Sequence, residues 1–142
     1  MPDSTRASCP IAASLDLIGD RWTLVVMRDM LLGGRHGFSE IGADEGIATN
    51  ILADRLERLV GAGVIERRED PDDGRRRIYV PTESGFALIP VLLELVVWGS
   101  AHTEAKVLSD MAATIQQDRA GLASALEVRA RKSRRVALGE DV

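Results

Sequence analysis

Three consecutive arginines, Arg75, Arg76 and Arg77, follow the turn-forming run Pro71-Asp72-Asp73-Gly74, and upstream of them lies the short polar pair Thr49-Asn50. Arginine's planar fork donates two parallel hydrogen bonds and so fits phosphate, whereas an Asn amide can bond an adenine edge at two points. Thr49 and Asn50 are short and polar enough to approach a base edge. The chemistry these types support is nucleic-acid recognition. Catalysis has no comparable basis: His36 and His102 have no visible carboxylate or nucleophile constellation, and no phosphate-cradling glycine loop appears. No Cys/His cluster has metal-ligand spacing, so neither a metal nor a cofactor is expected. The remaining reactive group is Cys9, the single cysteine, which can form only an intermolecular bridge or an adduct.

The elements that must position these residues can be read from periodicity. A helix over Ala48 to Gly61 places Leu52, Leu56 and Leu59 on one apolar stripe and Asn50, Asp54 and Glu57 opposite, flanked by Thr49, Ala53 and Arg58. Gly63 suits the left-handed position that ends it. Val64 to Arg68 then reads as a strand, Pro71 to Gly74 as a turn, and Arg75 to Val80 as the returning strand. Alternation puts at least one of the three arginines on each face of this hairpin. A polar helix face alone more often belongs to an ordinary surface helix, and the arginines could instead pair with Asp70, Asp72 and Asp73.

Around this unit, residues 1 to 8 read as a flexible N-terminus. A helix begins at Pro10 with Ile11, Ala12, Leu15 and Ile18 as its buried side, and Arg21 to Leu32 forms a core helix. Phe38 to about Asp44 reads as a short helix in which Ser39 is a cap or a phosphate ligand. With the turn at Glu45-Gly46 and the helix from Ala48 it makes a helix-turn-helix. Thr82 should cap the next helix, which is apolar almost all round from Phe86 to Trp98 and kinked at Pro90. Such a helix needs cover on a second side, most simply from another subunit. Leu92, Val96, Trp98, Leu108, Met111 and Ile115 are therefore expected at a homodimer interface, with residues 100–133 a helical extension and 134–142 a disordered tail.

The fold class expected is mainly α (α+β), a winged helix-turn-helix with a two-stranded β-wing and flanking dimerisation helices over residues 9–99. A net charge of -4 and a pI near 5.2 weigh against strong nonspecific DNA affinity, but the cations gather in the hairpin and in Arg129 to Arg135. No apolar run reaches a membrane span and no signal-like segment opens the chain, so a cytoplasmic location with no membrane partner is the default.

In fixed order, Cys9-Pro10, Ile18-Gly19-Asp20-Arg21-Trp22, Phe38-Ser39-Glu40-Ile41, Gly46 to Leu56, Leu59 to Ile65, Thr82 to Gly85, Pro90-Val91-Leu92 and Trp98-Gly99 resemble the motifs of the HxlR family of bacterial winged helix-turn-helix regulators, relatives of the MarR group. The resemblance implies a sequence-specific regulator, a repressor acting as a homodimer on double-stranded operator DNA. It makes Thr49, Asn50, Ala53 and Asp54 groove-facing and Arg75 to Arg77 wing contacts. Arg55 falls beside the apolar stripe, which favours a structural ion pair. Some members sense thiol-reactive compounds through a cysteine at the position of Cys9, so a small-molecule or electrophile effector is expected. The competing reading is a winged-helix protein-interaction module without DNA binding.

Overall fold

The computed structural model describes residues 8–140. In chain order these form α1 (Pro10–Ile18), α2 (Thr23–Leu31), a 3-10 turn (Ala43–Glu45), α3 (Thr49–Gly61), β1 (Ile65–Asp70), β2 (Asp73–Pro81), α4 (Glu83–Phe86), α5 (Ile89–His102), α6 (Ser109–Gln117) and α7 (Arg119–Ala137). Leu52, Leu56 and Leu59 of α3 share one buried core with Val26, Met27 and Met30 of α2, Ile89 and Leu93 of α5, Ile115 of α6 and Leu126 of α7. This is the winged helix expected, with β1 and β2 antiparallel and paired from Ile65 opposite Pro81 to Glu69 opposite Arg77. A bridge from Gly37 to Ile78 adds a vestigial third strand.

Several expectations change. No α-helix forms at Phe38: the amides of Glu40 and Ile41 both bond the Gly37 carbonyl, and Gly42 then turns left-handed at φ 73°, which stops helical propagation. Ser39 is exposed with no helix to cap. The hairpin turn is tighter than Pro71 to Gly74, since β2 already begins at Asp73. Pro90 does not kink a long helix. It sits in the first turn of α5, where its missing N–H is not needed, and α4 ends before it. Thr82 precedes α4, but its hydroxyl reaches the carbonyls of Gly63 and Val64 at 2.6 and 2.9 Å rather than capping the helix.

The expected buried side of α1 is only partly covered: Ile11 is 72% and Leu15 53% exposed, Ala12 and Ile18 are half-buried, and Leu17 is the side chain that packs on the core. Nor does the expected tail begin at residue 134. α7 continues to Ala137 because Arg134 bonds the Pro81 carbonyl at 3.0 Å and pairs with Glu66 at 3.3 Å. Residues 141–142, and nearly all of the expected flexible N-terminus, lie outside the described residues. Residues 83–102 are apolar and long enough to cross a membrane by composition, yet Leu92 and Leu93 enter the core and Glu94 pairs with Arg119.

Candidate nucleic-acid interface

The turn before α3 is built from a buried acid that periodicity gave no reason to single out. Asp29, on the core side of α2, accepts the Gly42 amide at 2.8 Å and pairs with Arg28 at 2.8 Å. Arg28 continues to Glu45 at 3.0 Å, and Arg35 pairs with Asp44 at 2.8 Å. One ion pair thus pins the 3-10 turn to α2 and a second pins it to the loop that follows α2, immediately before the recognition helix begins. The signal was an acid inside an otherwise apolar helix, since such a group is retained only where it is paired.

α3 starts at Ala48 with no side-chain cap and ends in a glycine motif: Gly63 is left-handed at φ 74°, the Val64 amide bonds Leu59 O and the Gly63 amide bonds Val60 O. Its outward side carries Thr49, Asn50 and Ala53, all exposed, and neither polar side chain is hydrogen-bonded among the described residues. Asp54 is less available. It is ion-paired with Arg55. Arg55 also bonds Asp20 at 2.7 Å, which bears out the structural role expected of it. Burial works against the charge on Asp20, but hydrogen bonds from Thr23, Arg55 and the Trp22 amide outweigh it and hold its carboxyl well below the usual range. Arg58 donates to the Asp16 carbonyl at 3.2 Å, so α3 is tied both to the last turn of α1 and, through Asp20, to the connection between α1 and α2.

The hairpin sorts its arginines by face. Arg67 of β1 forms an ion pair with Glu57 of α3, whereas its neighbour Glu66 pairs with Arg134 of α7. Arg75 and Arg77 alternate with Tyr79 and share the Arg67 face, beside the recognition helix; Arg76 shares the other face with Ile78. The turn's aspartates largely serve the backbone: Asp70 accepts the Asp72 amide at 2.9 Å and Asp73 the Arg75 amide at 3.1 Å. Among the described residues, Arg75 and Arg77 have no carboxylate partner, and Arg76 has only Asp70 at 4.0 Å. All three remain available to a phosphate.

At the base of the wing, His36 is buried. Its Nδ1 lies 2.9 Å from the Tyr79 carbonyl, which can only accept, so Nδ1 carries the proton and Nε2 accepts from the Ser133 hydroxyl at 2.8 Å. Burial pushes its pKa below the ordinary value despite the Tyr79 bond and nearby Glu40.

The sequence profile of the HxlR-like helix-turn-helix family matches residues 17–107. The chain belongs to this family. It is 33% identical over 92 residues to an uncharacterised HTH-type transcriptional regulator of Mycobacterium tuberculosis, covering 65% of the chain but 58% of that relative's length. It is 32% identical to the HTH-type transcriptional regulator YodB of Bacillus subtilis over 68% of the chain and 87% of YodB. The crystal structure of the reduced form of YodB superposes with a TM-score of 0.56 at 31% identity, covering 68% of this chain and 95% of that one. The redox regulator HypR, also reduced, gives 0.57 at 27% identity, over 66% and 92% of the two chains. A MarR-family structure from Porphyromonas gingivalis at 0.57 and 23% identity, over 72% and 97%, shares the fold.

The dimer residues expected from the sequence do not form one surface. Leu92 and Ile115 are buried within the protomer, and Met111 and Val96 are half-buried against its core. Trp98 is 61% exposed and Leu108 is also open.

Proposed function

We propose that the protein is a sequence-specific, DNA-binding transcriptional repressor that acts as a homodimer on a pseudo-palindromic operator in the cytoplasm. The observation that carries the reading is the free polar end of α3, Thr49 and Asn50, set beside a wing face whose Arg75 and Arg77 lack acidic partners. Helix side chains would read base edges in the major groove while the wing holds phosphates. Two-fold pairing is supported by the open apolar faces of α1, with Ile11 and Leu15, and of α5, with Val91, Leu95 and Trp98. An isolated nine-residue helix is marginal in water, so α1 gains most from such cover. Half-sites would then lie about 34 Å apart.

Release is assigned to a small-molecule or thiol-reactive signal. An apolar cleft of about 290 Å³ between α2 and α5, lined in part by Leu24, Leu32, Val96 and Leu108, supports the first. The second rests on half-buried, free Cys9, which stands directly before α1, and on YodB, solved both reduced and diamide-treated. Footprinting the intergenic DNA beside the gene tests the reading. A protected, salt-sensitive site is expected, and Cys9→Ser should abolish release by diamide. Absence of any footprint would favour a protein-interaction module, and undiminished release from Cys9→Ser would leave the cleft as the signal site.

A further inference from the structure

The basic run Arg129 to Arg135 lies beyond the stretch that matches the family, and the wing and recognition helix do not account for it. α7 runs along the wing on the face opposite α3. It is tied there by Arg131 to Glu83, by Arg134 to Glu66 and Pro81 O, and by Ser133 to His36. Just past its end a Cβ on Gly139 would lie 3.1 Å from Pro71 at the wing tip. Whatever the wing tip approaches, the end of α7 approaches too.

Four of the run's five cations divide by partner. Arg131 and Arg134 are held by Glu83 and Glu66, and Arg131 also lies over the Phe86 ring at 4.3 Å. Arg129 and Lys132 are exposed, one helical turn apart, with no carboxylate partner among the described residues, and they line one cleft together with Arg76 of β2. We propose that Arg76, Arg129 and Lys132 form a second phosphate-binding surface, which grips the DNA backbone flanking the operator on the far side of the wing. Arg76, turned away from the recognition helix by strand alternation, belongs to this surface rather than to the groove face.

Three acids share the cleft, Glu40, Asp70 and Asp72. Asp70 is engaged by the turn amide, and an aspartate carries its charge close to the backbone. Arginine and lysine project theirs on long stems, so an approaching polyanion meets the cations first. The partner is double-stranded DNA because the surface adjoins the wing; it presupposes the DNA reading above, so its test must fail separately from that reading.

The operator mapped by footprinting is prepared as a core duplex and as one longer by a helical turn on each side, and affinity is measured against salt. The wild-type protein should show a steeper log K against log salt on the long duplex, by about 0.9 per added phosphate contact. R129A/K132A should lose that increment and bind the core duplex as the wild type does, and Asp72→Asn should steepen it. Equal behaviour of wild type and R129A/K132A on both duplexes would overturn the second surface while leaving operator binding intact, as would equal losses on both. If no operator is found, the DNA reading fails and this surface with it.

Discussion

α1 and α3 are two amphipathic helices of similar pattern with opposite fates. α3 buries Leu52, Leu56 and Leu59 inside its own protomer, whereas α1 leaves Ile11 and Leu15 in solvent and reaches the core through Leu17. Periodicity states which face of a helix must be covered and is silent on what covers it. The two helices are nevertheless joined, because Arg58 of α3 holds the Asp16 carbonyl in the last turn of α1 and Arg55 holds Asp20 in the connection just beyond it. Anything that shifts α1, a second subunit or an adduct on Cys9, therefore acts on the recognition helix through two short contacts.

The largest effect separating the helices is in their apolar stripes. Leu56→Ala should cost about 2–5 kcal/mol of protomer stability, because it opens a cavity at a fully buried position. The paired change I11E/L15E should alter protomer unfolding by no more than about 0.5 kcal/mol per exposed site while abolishing dimers in sedimentation velocity. Dimers that survive the glutamates would remove α1 from the interface and break the contrast.

Next in size is the joint itself. A carboxylate whose folded pKa is depressed contributes its full stabilisation above its unfolded value near ~4 and loses it as pH falls through the folded value. Asp20→Asn should therefore be less stable than wild type at neutral pH, by about 1–3 kcal/mol for a charge-assisted bond, with the difference vanishing in acid. A pH-independent difference would mean that packing, not the ion pair, holds α1 to α3. His36 adds a second acid-sensitive element. Its folded pKa is lowered, so the unfolded chain takes up the proton first and stability falls as pH drops below about 6.5. Denaturant unfolding should show that loss between neutral and mildly acid pH, and His36→Gln should flatten it.

The comparison also locates what the sequence could reveal. The stripe of α3, Gly63 at its end and the charged hairpin were legible because each is local: spacing, a left-handed residue and alternation suffice. The helix expected at Phe38 was not, because Gly42 turns left-handed to present its amide to Asp29, a contact made across thirteen residues. The continuation of α7 past residue 133 was hidden for the same reason. Arg134 fell in the expected disordered tail, and its partners, Glu66 and the Pro81 carbonyl, come from distant parts of the chain. Of the interface residues, Thr49, Asn50 and Ala53 lie open as expected, whereas the involvement of Asp54 and Arg58 in local contacts depends on α1 and on Arg55, and helix spacing alone could not show that.

The smallest expected effect tests whether the wing is attached to α3 as firmly as α1 is. Arg67 and Glu57 form an exposed ion pair between β1 and α3, and both side chains are about half open to solvent. Such pairs are screened and entropically costly, so a double-mutant cycle with R67A and E57A should return a coupling of about 0.2–1 kcal/mol, declining with salt. The Asp20–Arg55 pair is more buried and has additional hydrogen bonds on its carboxylate, so its coupling should be larger and less sensitive to salt. If the two cycles gave equal couplings, the wing and α1 would be held to the recognition helix alike. A change at α1 would then be no better placed than one in the wing to shift α3.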